Sequence, residues 1–310
     1  MNPKLTSRDI SLLLDVYKYR YLSVTQLERL HFPSKRTAYR RLQALTTLKC
    51  LKAFSPPNIP ERIFYLDREG AEIVAGEMRV SVDDLQWYRY SKTPKDYYFL
   101  KHFLSINDFR ILLTQACTQS PMRLLGFIPE YVGEKTTQGN VKKYIRDNVC
   151  DIANKAVQYS HTPDAVFALE KEGNAALFFA EIDRGTEIVS DPEKGFLKCI
   201  KFYLNYWVDG KYQRYQEEFG GKTFKTFRTL IVTTSKTRLE HMREAVTRMP
   251  FSQTNEVIEE FAYSACMPLG WGIDRMLKPT CRRTPPLTPT GISASESVRS
   301  QLSKSRVGQV

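Results

Sequence analysis

The chain has 310 residues, 42% apolar and 12% aromatic, with a formal net charge of +12 at pH 7; that is enough for two domains with buried cores and excludes a wholly disordered chain. No apolar run approaches the ~18 residues of a membrane span, and the N-terminal residues lack a secretory core. The six cysteines stand at least 15 residues apart with no Cys-x-x-Cys pair, which speaks against zinc ribbons and disulfide frameworks, so a reduced cytoplasm is the expected compartment.

The charge is uneven. Residues 1–66 carry 12 Lys/Arg against 4 Asp/Glu, residues 67–277 carry 28 against 29, and residues 278–310 carry 6 against 1. Basic ends around a neutral middle favour a polyanion. Double-stranded DNA is the expected partner and a membrane is not; the competing reading is a basic protein that is merely soluble.

In chain order, Ser7 is placed to cap a first helix with Ile10, Leu13, Leu14 and Tyr17 at core spacing. Ser23 opens a short second helix carrying Leu27 and Leu30. Pro33-Ser34 starts a third, with Ala38, Leu42, Leu45 and Leu48 on one face. Arg36, Arg40 and Gln43 fall on the other, flanked by Lys35, Thr37, Tyr39 and Arg41. A strand from Leu51, a Ser55-Pro56-Pro57-Asn58 tip and a strand Arg62 to Leu66 follow. Three helices and a hairpin make the order of a winged helix-turn-helix over residues 1–68. Such a third helix fits the major groove, where arginine forks read guanine and lysine meets phosphate. The expected DNA contacts are Lys35, Arg36, Thr37, Tyr39, Arg40, Arg41, Gln43 and Arg62. A solvated face, or a protein-binding winged helix, is the alternative.

Residues 69–93 read as a linker with one helix, Gly70 to Met78. The aromatic cluster Trp87, Tyr88, Tyr90, Tyr97, Tyr98 and Phe99 reads as a seam between domains rather than a base-stacking platform. The second domain, residues 94–278, is expected to run helix (Asp96 to Thr118), strand (Leu124 to Tyr131), strand (Asp164 to Leu169), strand (Ala175 to Asp183), helix (Glu193 to Val208), strand (Arg228 to Thr233) and helix (Thr237 to Arg248). This is a mixed α/β layout, with a hairpin turn at Lys171-Glu172-Gly173-Asn174.

Glu181 and Asp183 interrupt an apolar strand at its end, on one face of the sheet. Antiparallel pairing brings Asp164, which follows Pro163, beside them. Three carboxylates at one buried sheet end repel unless a cation or arginines neutralise them. Asp164, Glu181 and Asp183 are therefore candidate ligands for magnesium or manganese, which would activate water for phosphodiester attack. Arg184 is a candidate cation beside them. An arginine-paired structural cluster is the competing reading. His102, His161 and His241 are far apart with no H-x-H pattern, which speaks against a tyrosine relaxase.

Proline-aspartate at a strand start and an acid pair ending the next strand resemble the PD-(D/E)xK nuclease fold, with helix and strands in the order αβββαβ. Asp183 stands where that family carries lysine. The winged helix, the helix HFLSINDFRILL, the Pro-Asp strand and FFAEIDRGTE together are similar to the replication-relaxation family of bacterial plasmids and mobile elements, over about residues 7 to 235. That resemblance implies a role in plasmid replication or in relaxing plasmid DNA. It points to Asp164, Glu181, Asp183, Arg184 and Glu187, with His102 and Asn107 facing them. His102 as a core hydrogen-bonder and Asn107 as a backbone clamp are the structural alternatives.

Residues 279–310 are rich in Pro, Ser, Thr and Arg and poor in large apolar residues, and read as a disordered basic tail. Two function classes follow. One is a metal-dependent DNA nickase or endonuclease at an origin-like site. The other is a non-catalytic initiator, accessory factor or transcriptional regulator. A homodimer and other replication or transfer proteins complete the expected partners.

Overall fold

The computed structural model describes residues 4–57, 59–85, 87, 97–135, 141–185, 188–191, 194–233, 235–249 and 262–266. Expectations for Glu187, Tyr88, Tyr90 and the tail 279–310 lie outside these residues. The fold is mixed α and β, in two compact units, Met1–Leu113 and Thr114–Val310. The first unit therefore includes residues 69–93, read from the sequence as a linker.

In the first unit, α1 (Ser7–Tyr19) begins one residue earlier than the sequence suggested, because Thr6 is its cap. Asp9 Oδ2 accepts the Thr6 N–H at 2.7 Å while Thr6 Oγ1 faces the Asp9 N–H at 3.4 Å, a reciprocal capping box. Ser23 and Gln26 form the same box at α2 (Val24–His31), and Ser34 caps α3 (Lys35–Thr47). Strands β1 (Leu22–Ser23), β2 (Leu51–Phe54) and β3 (Ile63–Leu66) form an antiparallel sheet in the order β1-β3-β2. Leu12, Leu13, Val16, Leu27, Leu42 and Leu45 are fully buried in one core.

Helix α4 (Arg68–Met78) puts Ala71, Val74 and Ala75 into that same core, so the helical part of the stretch is packed against the first unit. Its entry is tight. A Cβ on Gly70 would stand 2.1 Å from the Cys50 carbonyl oxygen, whereas one on Gly76 would meet nothing within 4 Å. Gly70→Ala is thus expected to destabilise the unit by about 1–3 kcal/mol, and Gly76→Ala to stabilise it by about 0.5–1 kcal/mol. Urea midpoints of the two variants check the pair.

Helix α5 (Tyr97–Thr118) secures the far end of α1. Arg20, at φ 62°, caps the end of α1. Asn107 Nδ2 donates to the carbonyls of Tyr19 at 3.0 Å and Tyr21 at 2.8 Å, and Arg110 donates to that of Lys18 at 3.4 Å. The Lys18 and Tyr19 carbonyls are among those a helix end leaves without internal partners. Asn107 is fully buried in this role as a backbone clamp.

The second unit is built on a five-stranded sheet of β4 (Arg123–Pro129), β9 (Ala165–Lys171), β10 (Asn174–Asp183), β11 (Phe227–Thr233) and β12 (Ala262–Cys266), ordered β12-β11-β10-β9-β4. The β4-β9-β10 part is antiparallel and the β10-β11-β12 part parallel. Helix α6 (Gly195–Asp209) connects the parallel pair β10 and β11, as parallel strands require. A short 3-10 turn (Lys211–Arg214) and α7 (Tyr215–Glu218) follow α6, and α8 (Lys236–Thr247) follows β11. Two small hairpins precede β9: β5 (Gly133–Lys135) with β6 (Val141–Lys143), and β7 (Asp147–Cys150) with β8 (Gln158–His161). Phe179 of β10 packs edge-on against Tyr206 of α6, Tyr215 of α7 and Phe227 of β11, at the centre of an aromatic core. No helix among the described residues is long and apolar enough to cross a membrane.

Candidate functional site

Two surfaces carry the chemistry, one in each unit. In the first, α3 buries Ala38, Leu42 and Leu45. It exposes Lys35, Arg36, Tyr39, Arg40 and Gln43, and Arg62 is exposed beside β3. The helix contains no acidic residue, so Arg36, Arg40 and Gln43 form a cationic and polar stripe at i, i+4 and i+7.

Two of the expected DNA contacts have work inside the fold. Arg41 donates to both oxygens of Asp9, through Nε to Oδ1 at 2.8 Å and through a terminal nitrogen to Oδ2, and also to the Lys4 carbonyl at 3.0 Å. Asp9 is fully buried, and a buried carboxylate requires such a partner. Lys35 Nζ lies 2.9 Å from Glu61 Oε1 and 3.1 Å from Thr25 Oγ1. Burial works against the Glu61 charge, but hydrogen bonds from Thr25, Lys35 and Ser23 outweigh it and hold its pKa at about 2. Thr37 is half-buried at the helix entry, where its N–H meets Ser34 Oγ at 3.4 Å. The surface left facing solvent is Arg36, Tyr39, Arg40, Gln43 and Arg62, with the Lys35 ammonium at its edge.

In the second unit the β9–β10 hairpin turns through Glu172 and Gly173, at φ 52° and 80°, a left-handed pair suited to a two-residue loop. The register pairs Ala180 with Ala165, and this places Asp164 beside the end of β10. The Asp164 N–H donates to the Ala180 carbonyl at 3.1 Å, and its Oδ2 accepts the Ile182 N–H at 2.6 Å.

The carboxylates then find different partners. Asp183 pairs in register with Thr233 of β11 and accepts its hydroxyl at 2.9 Å. Arg238 of α8 grips Asp183 with both arms, Nε to Oδ2 at 2.6 Å and a terminal nitrogen to Oδ1 at 2.8 Å. The Asp183 side chain is only 6% exposed. Glu181 turns to a separate group. Its Oε1 lies 2.7 Å from His161 Nε2 and accepts the Tyr203 hydroxyl. Cys199 Sγ lies 3.6 Å from the same His161 nitrogen. Tyr203 is fully buried; burial first, then the Glu181 charge, pushes its pKa well above the usual phenol range, so it remains a donor. Arg184 is half-buried just after β10. His102 is half-buried on α5, in the first unit.

This donor set does not match magnesium or manganese, which favour an all-oxygen shell. Arg238 occupies both oxygens of Asp183, and Glu181 sits among a histidine, a thiol and a phenol. Sequence reasoning missed His161, Cys199, Tyr203 and Arg238. Cys199 and Tyr203 stand four residues apart, hence on one face of α6, and His161 precedes Thr162-Pro163-Asp164 directly. Those were the signals available.

The chain matches the family model described as Replication-relaxation over residues 13–221. No curated protein matches it.

Proposed function

The chain belongs to the replication-relaxation family, and from that premise we propose that it acts in plasmid replication or relaxation by docking on duplex DNA. The first unit serves as a winged helix-turn-helix with α3 in the major groove. The second serves as a PD-(D/E)xK-like framework without that fold's magnesium chemistry. The observation that carries this reading is the solvent-facing stripe Arg36, Tyr39, Arg40 and Gln43 on a helix that has no acidic residue. Arginine supplies a planar fork for guanine edges or phosphate. The hairpin β2–β3 presents Lys52 and Arg62 as exposed cations for the backbone.

For the second unit, support comes from the order α5-β4-β9-β10-α6-β11, from Asp183 in the position of the nuclease lysine, and from the guanidinium that holds it. A second reading, a metal-dependent nickase, draws on Asp164 beside the strand that carries Glu181. Supercoiled plasmid incubated with the protein and magnesium or manganese separates the two. Docking alone leaves the plasmid supercoiled, and accumulation of the relaxed form selects the nickase.

Arg36→Ala and Arg40→Ala are each expected to weaken specific DNA binding by about 1–3 kcal/mol. Wild-type affinity should fall steeply as salt rises, from release of counterions. Titrations on the origin region of a host plasmid measure both effects. Binding insensitive to salt and to both substitutions would make this a protein-binding winged helix.

A further inference from the structure

We propose that His161, Glu181 and Cys199 form a binding site for a borderline-soft divalent cation of the zinc class, with three protein ligands and one open position. The site goes beyond DNA docking by α3, which does not depend on it. The three side chains come from β8, β10 and α6, and one ligand atom from each lies within 4.8 Å of the others. Imidazole nitrogen, carboxylate oxygen and thiolate sulfur are the ligand types zinc takes, whereas magnesium avoids sulfur.

The spacing fits. With Zn–N of about 2.0–2.1 Å and Zn–S of about 2.3 Å, a tetrahedral angle gives an N···S edge of about 3.6 Å. Cys199 Sγ and His161 Nε2 already stand 3.6 Å apart. The Nε2···Oε1 separation of 2.7 Å is that of a hydrogen bond, and it has to open by about 0.7 Å to make the corresponding edge around a zinc ion.

The competing chemistry for cysteine, histidine and glutamate is a nucleophilic relay. A relay uses opposite ring nitrogens, one toward the nucleophile and one toward the carboxylate. Here the thiol and the carboxylate both face Nε2. That is not the opposite-nitrogen arrangement of a relay, whereas three ligand atoms gathered within 4.8 Å of one another suit a shared cation once the proton between Nε2 and Oε1 is displaced.

The surroundings suit a held site. The Tyr203 hydroxyl donates to Glu181, as outer groups do to metal-bound carboxylates. The His161 ring lies against Phe202 and Tyr203, with ring centres at 5.2 and 5.4 Å. His161 and Glu181 keep 22% and 19% of their side-chain surface exposed, enough for an ion to enter.

The test uses the full chain, stripped of metal and titrated with cobalt(II) and with zinc(II). One equivalent of cobalt is expected to give the intense visible bands of a tetrahedral ion and a thiolate-to-cobalt charge-transfer band. Cys199→Ser should abolish that band, while Cys150→Ser, at an exposed cysteine of β7, should keep it. Zinc should raise the Tm of the wild type and not of Cys199→Ser, and magnesium should raise neither. Tyr203→Phe should retain the spectrum and weaken zinc binding about 10- to 100-fold. Should His161→Ala fail to fold, Cys199→Ser, close in volume to the native side chain, still decides the matter. A charge-transfer band that survives Cys199→Ser, the absence of any such band, or a Tm that zinc leaves unchanged overturns the site. DNA titrations of the same variants keep a failure here distinct from a failure of the docking reading.

Discussion

Arg238→Ala is expected to destabilise the second unit by about 3–5 kcal/mol, the cost of leaving a buried carboxylate without its partner. Asp183 is 6% exposed and Arg238 18%, and the two share two hydrogen bonds in fork geometry. Thr233 and the Gly185 N–H add donors to the carboxylate, but neither carries the compensating charge. Asp183→Asn is expected to destabilise as well, because it strands the guanidinium. That sign separates two physical pictures of this sheet end. If mutual repulsion among Asp164, Glu181 and Asp183 dominated, removing one charge would stabilise the fold. With Arg238 in place, removing it breaks a pair. Replacing both partners by apolar residues, as in Asp183→Leu with Arg238→Met, should recover much of the loss. Urea unfolding followed by Trp207 fluorescence, in a background with Trp87 and Trp271 changed to Phe, reports on this unit.

The path from sequence to structure was clear where the signal is local. The continuous apolar runs of β9 and β10 and the Glu172-Gly173 turn between them mark the hairpin, and its register puts Asp164 beside Ile182. The helices α1 to α3 followed from capping residues and apolar spacing. The β5–β6 and β7–β8 hairpins were missed. Their strands are three or four residues long and mostly polar, so they show no hydrophobic period to read. Partner choice at the sheet end was not legible for a related reason. Glu181 meets a histidine 20 residues upstream and a tyrosine 22 residues downstream, and Asp183 meets an arginine 55 residues away. No spacing rule links such positions. Only the packing of β8, α6 and α8 around the sheet brings them together. Charge counting foresaw that the acids need neutralising, but it could not name Arg238 rather than Arg184.

Arg40 and Arg41 are adjacent in α3, and they are expected to fail in opposite ways. Arg40 is exposed, so Arg40→Ala should change stability by less than about 0.5 kcal/mol while weakening DNA binding. Arg41 is committed to Asp9, which is fully buried. Arg41→Ala should therefore destabilise the first unit by about 3–5 kcal/mol, and any loss of DNA binding should follow the unfolded fraction. The pH dependence gives an independent reading. Burial pushes the Asp9 carboxyl up, yet hydrogen bonds from Arg41 and Thr6 outweigh it and leave the pKa below the ordinary 3.8. A carboxylate with a lowered folded pKa stabilises fully above its ordinary value, and that contribution is lost as pH falls through the folded one. The wild-type unit should thus lose stability on acidification below about pH 4, and Arg41→Ala should flatten that limb because the Asp9 pKa is no longer held down. Arg40→Ala should leave the acid limb as it is. Equal acid limbs in the two variants would mean that Asp9 draws its stabilisation from Thr6 alone, and that Arg41 is available to DNA after all.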